Sequence, residues 1–182
     1  MGGLLALSRA IDAVTFRLGK FLGWFILAAV IVSAVNATVR FAFNMSSNAW
    51  LELQWYLFGA VFLLASAYTL QMNEHIRIDI VSSRLSKRTR DWIEVIGHVL
   101  FLMPLCFVMI YTAVPFALRA YTTSEYSSSA GGLILWPAKI LVPIAFILLL
   151  AQAVSELIKR VAIMQGLMED PHAGASAHGN VE

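Results

Sequence analysis

The sequence predicts an all-α integral membrane protein of four transmembrane helices, on three observations. Only 13% of the 182 residues are charged and 59% are hydrophobic, against about 25% charge in an ordinary soluble domain. Such a chain is too poor in polar side chains to coat a water-soluble core. Four apolar runs, near 21–43, 50–72, 92–118 and 133–158, reach the length of about 20 residues that a spanning helix needs. None of them alternates as a strand would, and a lone segment in lipid must satisfy its backbone hydrogen bonds internally, which a helix does.

Ahead of the first run, "LLALSRAIDAVTFRLGK" sets Leu4, Leu7, Ile11, Val14 and Leu18 at helical spacing, with Arg9, Asp12 and Arg17 largely elsewhere. Residues 1–20 are therefore expected to form an amphipathic helix in the membrane interface. Span one (21–43) carries Ala29, Ser33 and Ala37 at every fourth position, a small-residue stripe that lets another backbone approach closely. "VNA" (Val35–Ala37) loosely resembles a cleavage site, but the apolar run exceeds the roughly 7–15 residues of a signal core. Asn36 lies deep in the span, where it is expected to donate an interhelical hydrogen bond.

Arg40 stands one turn from the end of span one and Glu52 less than one turn into span two (50–72). The loop between them is short, so an Arg40–Glu52 ion pair is expected.

Span two ends in "NEHIRIDI" (Asn73–Ile80), whose Glu74, His75, Arg77 and Asp79 superficially suggest a metal or catalytic cluster. Their place directly after an apolar run, with Ile76, Ile78 and Ile80 alternating between them, instead marks the exit from the bilayer. Asp79 is expected to cap a short helix to about Leu85, and Ser86 to cap the run into span three.

Span three (92–118) carries Pro104 and Pro115. Eleven residues at about 100° each return to nearly the same face, and each proline removes one backbone bond, freeing the carbonyls of Leu100 and Tyr111. Pro143 does the same to Lys139 in span four (133–158). His98 is the one histidine within a span. A bundle-bound haem would want a second axial ligand at matching depth, and His75 lies beyond the end of its span. The single cysteine, Cys106, excludes an internal disulfide and a cysteine-built metal site. Gln152, deep in span four, is expected to bond between helices. Residues 161–182 lack periodicity and are rich in small and polar residues, as in a disordered tail.

Ten of the thirteen basic residues lie on one side: Arg9, Arg17 and Lys20; Arg77, Arg84, Lys87, Arg88 and Arg90; Lys159 and Arg160. The positive-inside rule then makes both termini cytoplasmic. A net charge of +2 is too small to argue for nucleic acid. HExxH, phosphate-loop and GxSxG patterns are absent, and no nucleophile, base and stabiliser converge, so no enzyme is expected.

Several short motifs follow one another in a recognisable order. An arginine late in span one precedes Glu52 and "QWYLF". Then come "NEHIRID", "RLSKRTRDW", "SEYS" (Ser124–Ser127) and "LWPAKILVPIAFILLLAQ". In combination, over about residues 20–160, they resemble the DctQ-type small membrane subunit of tripartite ATP-independent periplasmic (TRAP) transporters. The N-x-H-(I/V)-x-(hydrophobic)-D element is the sharpest; here it is Asn73, His75, Ile76, Ile78 and Asp79. Leu51 and Gln54 depart from the family, which often has a second acid and a basic residue near Glu52.

The resemblance implies a bacterial inner-membrane protein paired with a large multi-spanning subunit. That subunit would carry the substrate and ion sites, with Na⁺ coupling expected there, and perform an elevator-like motion. A periplasmic binding protein would deliver an organic acid. The small subunit would bind no cofactor and would brace the stationary scaffold among membrane lipids. Arg40, Glu52, Asn73, His75, Asp79, Glu125, Lys139 and Gln152 are the residues expected to support its shape or partner contact. Two rival readings are a self-sufficient oligomeric transporter or channel, which needs a polar path, and a membrane-anchor subunit of a redox enzyme, which needs a haem or quinone site.

Overall fold

The computed structural model describes residues 2–45, 47–72 and 86–168. They form four helices, α1 (Gly2–Phe43), α2 (Asn48–Met72), α3 (Lys87–Thr122) and α4 (Trp136–Met164), each long and apolar enough to cross a membrane. The chain folds as an antiparallel bundle. Its terminal end gathers the start of α1, the end of α2, the start of α3 and the end of α4, and its loop end the opposite four.

Helix α1 is a single 42-residue helix. The segment expected in the interface (1–20) and the first span (21–43) run together without a break at Lys20, since no proline or cap interrupts them. Gly19 is required there by the close approach of α2, because a Cβ at that position would run into the Tyr68 ring. The leucine-rich face of the first turns points outward: Leu4, Leu7 and Val14 are about half exposed. The buried line is instead Ser8, Thr15, Leu22 and Ala29, one every seventh residue. Lipid tails are as apolar as leucine, so burying large side chains gains little between helices in a membrane, and small residues that allow close approach line the contacts.

Helix α4 is the hub. It packs against α1, α2 and α3, while α1 also pairs with α2. Its inward positions include Ala145, Gln152, Ala153, Ser155 and Ala162. Leu22, Ala60, Leu64 and Ala145 form the centre, with Leu18, Phe25, Leu141 and Leu148 packed around it. Helix α4 continues past Ile158 into the expected tail, because Ala162 is still fully buried. It stops where Gly166 (φ +71°) turns the chain and Gly166 and Leu167 donate back to Ile163 and Ala162, the left-handed helix cap that glycine favours.

Ser86 caps α3 as expected: its Oγ accepts from the Thr89 N–H at 3.2 Å. At His98–Leu102 the helix widens to a π turn, with the Met103 N–H donating to His98 O. Pro104 explains the position, since it has no N–H to offer the preceding turn. Pro115 and Pro143 are carried inside α3 and α4.

Register gives the bundle a stagger. Ser155 meets Ser8 and Ala145 packs with Leu22, so α4, which begins at Trp136, starts level with about Ile31 at about 1.5 Å of rise per residue. The last dozen residues of α1 rise beyond α4 beside α2.

Candidate functional site

Among the described residues, polar side chains meet in three places, and each joins separate parts of the bundle. The largest cluster is at the terminal end, around Asp12 of α1. Asp12 Oδ1 accepts from Gln152 Nε2 and from Ser155 Oγ, each at 2.8 Å, and Oδ2 accepts from Lys159 Nζ at 3.1 Å. Glu156 Oε1 accepts from the same Gln152 and Lys159 at 2.9 and 2.6 Å. The Ser8 and Ser155 hydroxyls lie 2.7 Å apart. From α2, Gln71 Nε2 donates to the Asp12 backbone carbonyl at 3.0 Å. Three helices thus converge on one residue.

Sequence reasoning selected Gln152 but passed over Asp12, Ser155 and Lys159. The signal was present as matching helical spacing: polar residues at 8, 12 and 15 on α1, and at 152, 155, 156 and 159 on α4. Gln152 is fully buried. Among the described residues, its Oε1, that of Gln71 and His98 Nε2 have no hydrogen-bond partner.

A second tie joins α3 to α4. Arg160 pairs with Asp91 at 3.1 Å and with Glu94. His98 sits one turn on. Its Nδ1 is 2.8 Å from Glu94 O, a carbonyl that can only accept, so Nδ1 carries the proton. His98 and Glu94 border an open, largely apolar groove of about 450 Å³ with Ser66, Leu70, Gly97, Leu102 and Leu149. Among the described residues no three His, Cys, Asp or Glu side chains are grouped to hold a metal.

At the loop end Glu52 is 6% exposed. The expected ion pair with Arg40 does not form. Glu52 accepts from Ser127 Oγ and, at 2.6 Å, from the Leu133 N–H, both in the loop between α3 and α4. Arg40 is exposed on α1. The short α1–α2 connection made the two residues neighbours in sequence, but Glu52 faces the returning loop.

That loop is a small hairpin, with Ser127 N donating to Leu133 O at 2.9 Å and Leu135 N to Glu125 O at 2.8 Å. Gly131 takes a left-handed conformation, φ +68°. Gly132 is required by space: a Cβ would lie 2.6 Å from Ser127 Cβ and 2.8 Å from Glu52 Oε1. Asn48 Nδ2 and the Tyr56 hydroxyl, both on α2, donate to Ala130 O and Ile134 O at 2.9 and 3.1 Å. Glu125 and Lys139 form an ion pair at 2.5 Å, and the Lys139 ammonium lies 4.3 Å from the Phe116 ring centre.

In the stripe, Ala29 is buried while Ser33 and Ala37 are exposed. Asn36 makes no interhelical bond within the described residues, contrary to expectation. Asn73, His75 and Asp79 lie outside the described residues.

The arrangement holds helices and a loop in register. Every carboxylate at these sites is engaged by internal donors. A comparison with curated proteins finds no match. The family model for the DctQ component of tripartite ATP-independent periplasmic transporters matches residues 29–162, a range that holds Glu52 and its loop, the Arg160 tie and the α4 half of the Asp12 cluster. The chain belongs to that family: it is the small membrane subunit of a tripartite transporter, a transport component and not an enzyme.

Proposed function

We propose that this subunit steadies the immobile scaffold of a large elevator-type membrane subunit in a bacterial inner membrane. The complex would use an ion gradient, with Na⁺ bound in the large subunit, to take up an organic acid delivered by a periplasmic binding protein. An elevator needs one part held still while another slides. The observation that carries the reading is where the polar side chains go. Asp12 ties α1 and α2 to α4, Arg160 ties α4 to α3, and Glu52 ties α2 to the α3–α4 loop. Charges used in this way stiffen a bundle and leave none of those carboxylates to line a route for solute. The concentration of lysine and arginine at the terminal end supports cytoplasmic termini.

The test is uptake in cells and in proteoliposomes. Removing this subunit should abolish uptake while capture of substrate by the binding protein is unchanged. Full uptake by the large subunit alone would overturn the bracing role. Flux through this subunit alone would favour a self-sufficient transporter or channel.

A further inference from the structure

Because α4 starts level with about Ile31, the loop-end part of α1 has one flank that nothing among the described residues covers. Ser33, Asn36, Ala37 and Arg40 follow at i, i+3, i+4 and i+7 and therefore share a face. Ser33, Ala37 and Arg40 are exposed and Asn36 is half-buried. The side chains of Ser33, Asn36 and Arg40 have no hydrogen-bond or ion-pair partner among the described residues. The Thr38 hydroxyl, off this face, is satisfied within the helix by Ala34 O at 2.8 Å. Val30, Ile31, Val35 and Phe41, exposed nearby, are large and apolar, as suits acyl chains.

An amide without a partner is costly to leave against hydrocarbon. Small residues beside it allow a helix backbone to approach, and its amide can bond across. Arg40 supplies a charge at the edge of the same face. A lipid phosphate could meet Arg40 but would leave Asn36 and Ser33 unanswered. A second copy of this chain, inserted with the same orientation, would bring like charges to one depth. The complementary surface is a transmembrane helix of a different chain, with a carboxylate at the depth of Arg40.

We infer that the Ser33–Asn36–Ala37–Arg40 face of α1 is the seat for a transmembrane helix of the large membrane subunit that carries an Asp or Glu near its loop-side end. This rests on the reading of the chain as a partner of that subunit.

The test is site-specific photo-crosslinking in cells that express both subunits. A photoreactive residue replaces Ser33 or Ala37, with Phe62 of α2 and Tyr111 of α3, both over 80% exposed, as comparison sites. Crosslinks to the large subunit should come from Ser33 and Ala37 and not from Phe62 or Tyr111. Arg40→Glu and Ala37→Leu should each lower the large subunit that copurifies by about tenfold or more. Arg40→Ala should leave the thermal stability of the isolated subunit unchanged, because Arg40 has no partner among the described residues to lose. Suppose the large subunit copurifies but crosslinks only from Phe62 or Tyr111, or residues 33 and 37 crosslink to a second copy of this chain. Either result overturns the assignment of the face and leaves the proposed function standing. Failure of the large subunit to copurify with the unaltered chain overturns both.

Discussion

Gln152 of α4 donates to the carboxylate of Asp12 of α1 at 2.8 Å, joining residues 140 positions apart in sequence. The same carboxylate also accepts from Ser155 and Lys159, so one acid sets the depth and rotation of two helices. The stability of the terminal end should depend on it more than on any leucine nearby.

Asp12→Ala removes the acceptor for three donors and leaves Gln152 buried with a donor unmet. Breaking a buried pair costs about 3–5 kcal/mol. The Asp12 side chain is 23% exposed, which places the expected loss toward the lower figure. Asp12→Asn keeps an acceptor for Ser155 but loses the charge facing Lys159, and should cost less. Thermal unfolding of the purified subunit in detergent checks the order: unaltered chain, then Asn, then Ala.

Glu52→Ala should loosen the Ser127–Leu133 hairpin and leave the four helices in place. Hydrogen bonds to a charged group are worth about 1.5–3 kcal/mol each, so amide exchange at Leu133 should accelerate by at least tenfold. Arg40→Ala should leave that exchange rate unchanged. An equal effect from both substitutions would restore the Arg40–Glu52 pair that the geometry rejects.

Gly132→Ala should disturb the same hairpin by overpacking, at a cost of about 1–3 kcal/mol, because the added methyl meets Ser127 and Glu52. Gly131→Ala meets no neighbour and should cost about 1–2 kcal/mol through its left-handed backbone alone. Combining Gly132→Ala with Glu52→Ala should be less than additive, since the second change removes one of the obstacles to the first. Exchange at Leu133 in the single and double variants measures this.

Gly19→Leu should push α1 from α2 at the Tyr68 ring and lower the unfolding temperature. Adding Tyr68→Ala should recover part of the loss. A double-mutant cycle reads the coupling, expected at about 0.5–3 kcal/mol for residues in contact. An additive cycle would mean that the two helices do not meet there.

The four spans were legible because the length and polarity of a run are local properties that lipid enforces directly. So was the Ser86 cap, a relation across three residues. The partners of the polar groups were not legible. Gln152 stands out as an amide in an apolar run, whereas Asp12 lies before the first apolar run, where an acid looks ordinary. Only the antiparallel register of α1 and α4 reveals that both share one level. Glu52 misled for a related reason: chain proximity to Arg40 says nothing about which way a helix is rotated, and the rotation is set by a loop more than seventy residues away. The widened turn before Pro104 was foreseeable as a disturbance, but its form depends on how the neighbouring helix accepts the extra width.

The unbroken length of α1 carries a mechanical corollary. Forty-two residues at about 1.5 Å each make a rod of about 63 Å, roughly twice the ~30 Å hydrocarbon thickness of a bilayer. Its buried contacts run from Ser8 to Ala29, and Arg40 is carried about 16 Å beyond the last of them. Rocking the rod by about 5° at Ala29 would sweep the residue-40 end sideways by about 1.4 Å, enough to stretch a hydrogen bond beyond its reach. A substitution on one side of the membrane is therefore able to misalign a contact on the other side while touching nothing there.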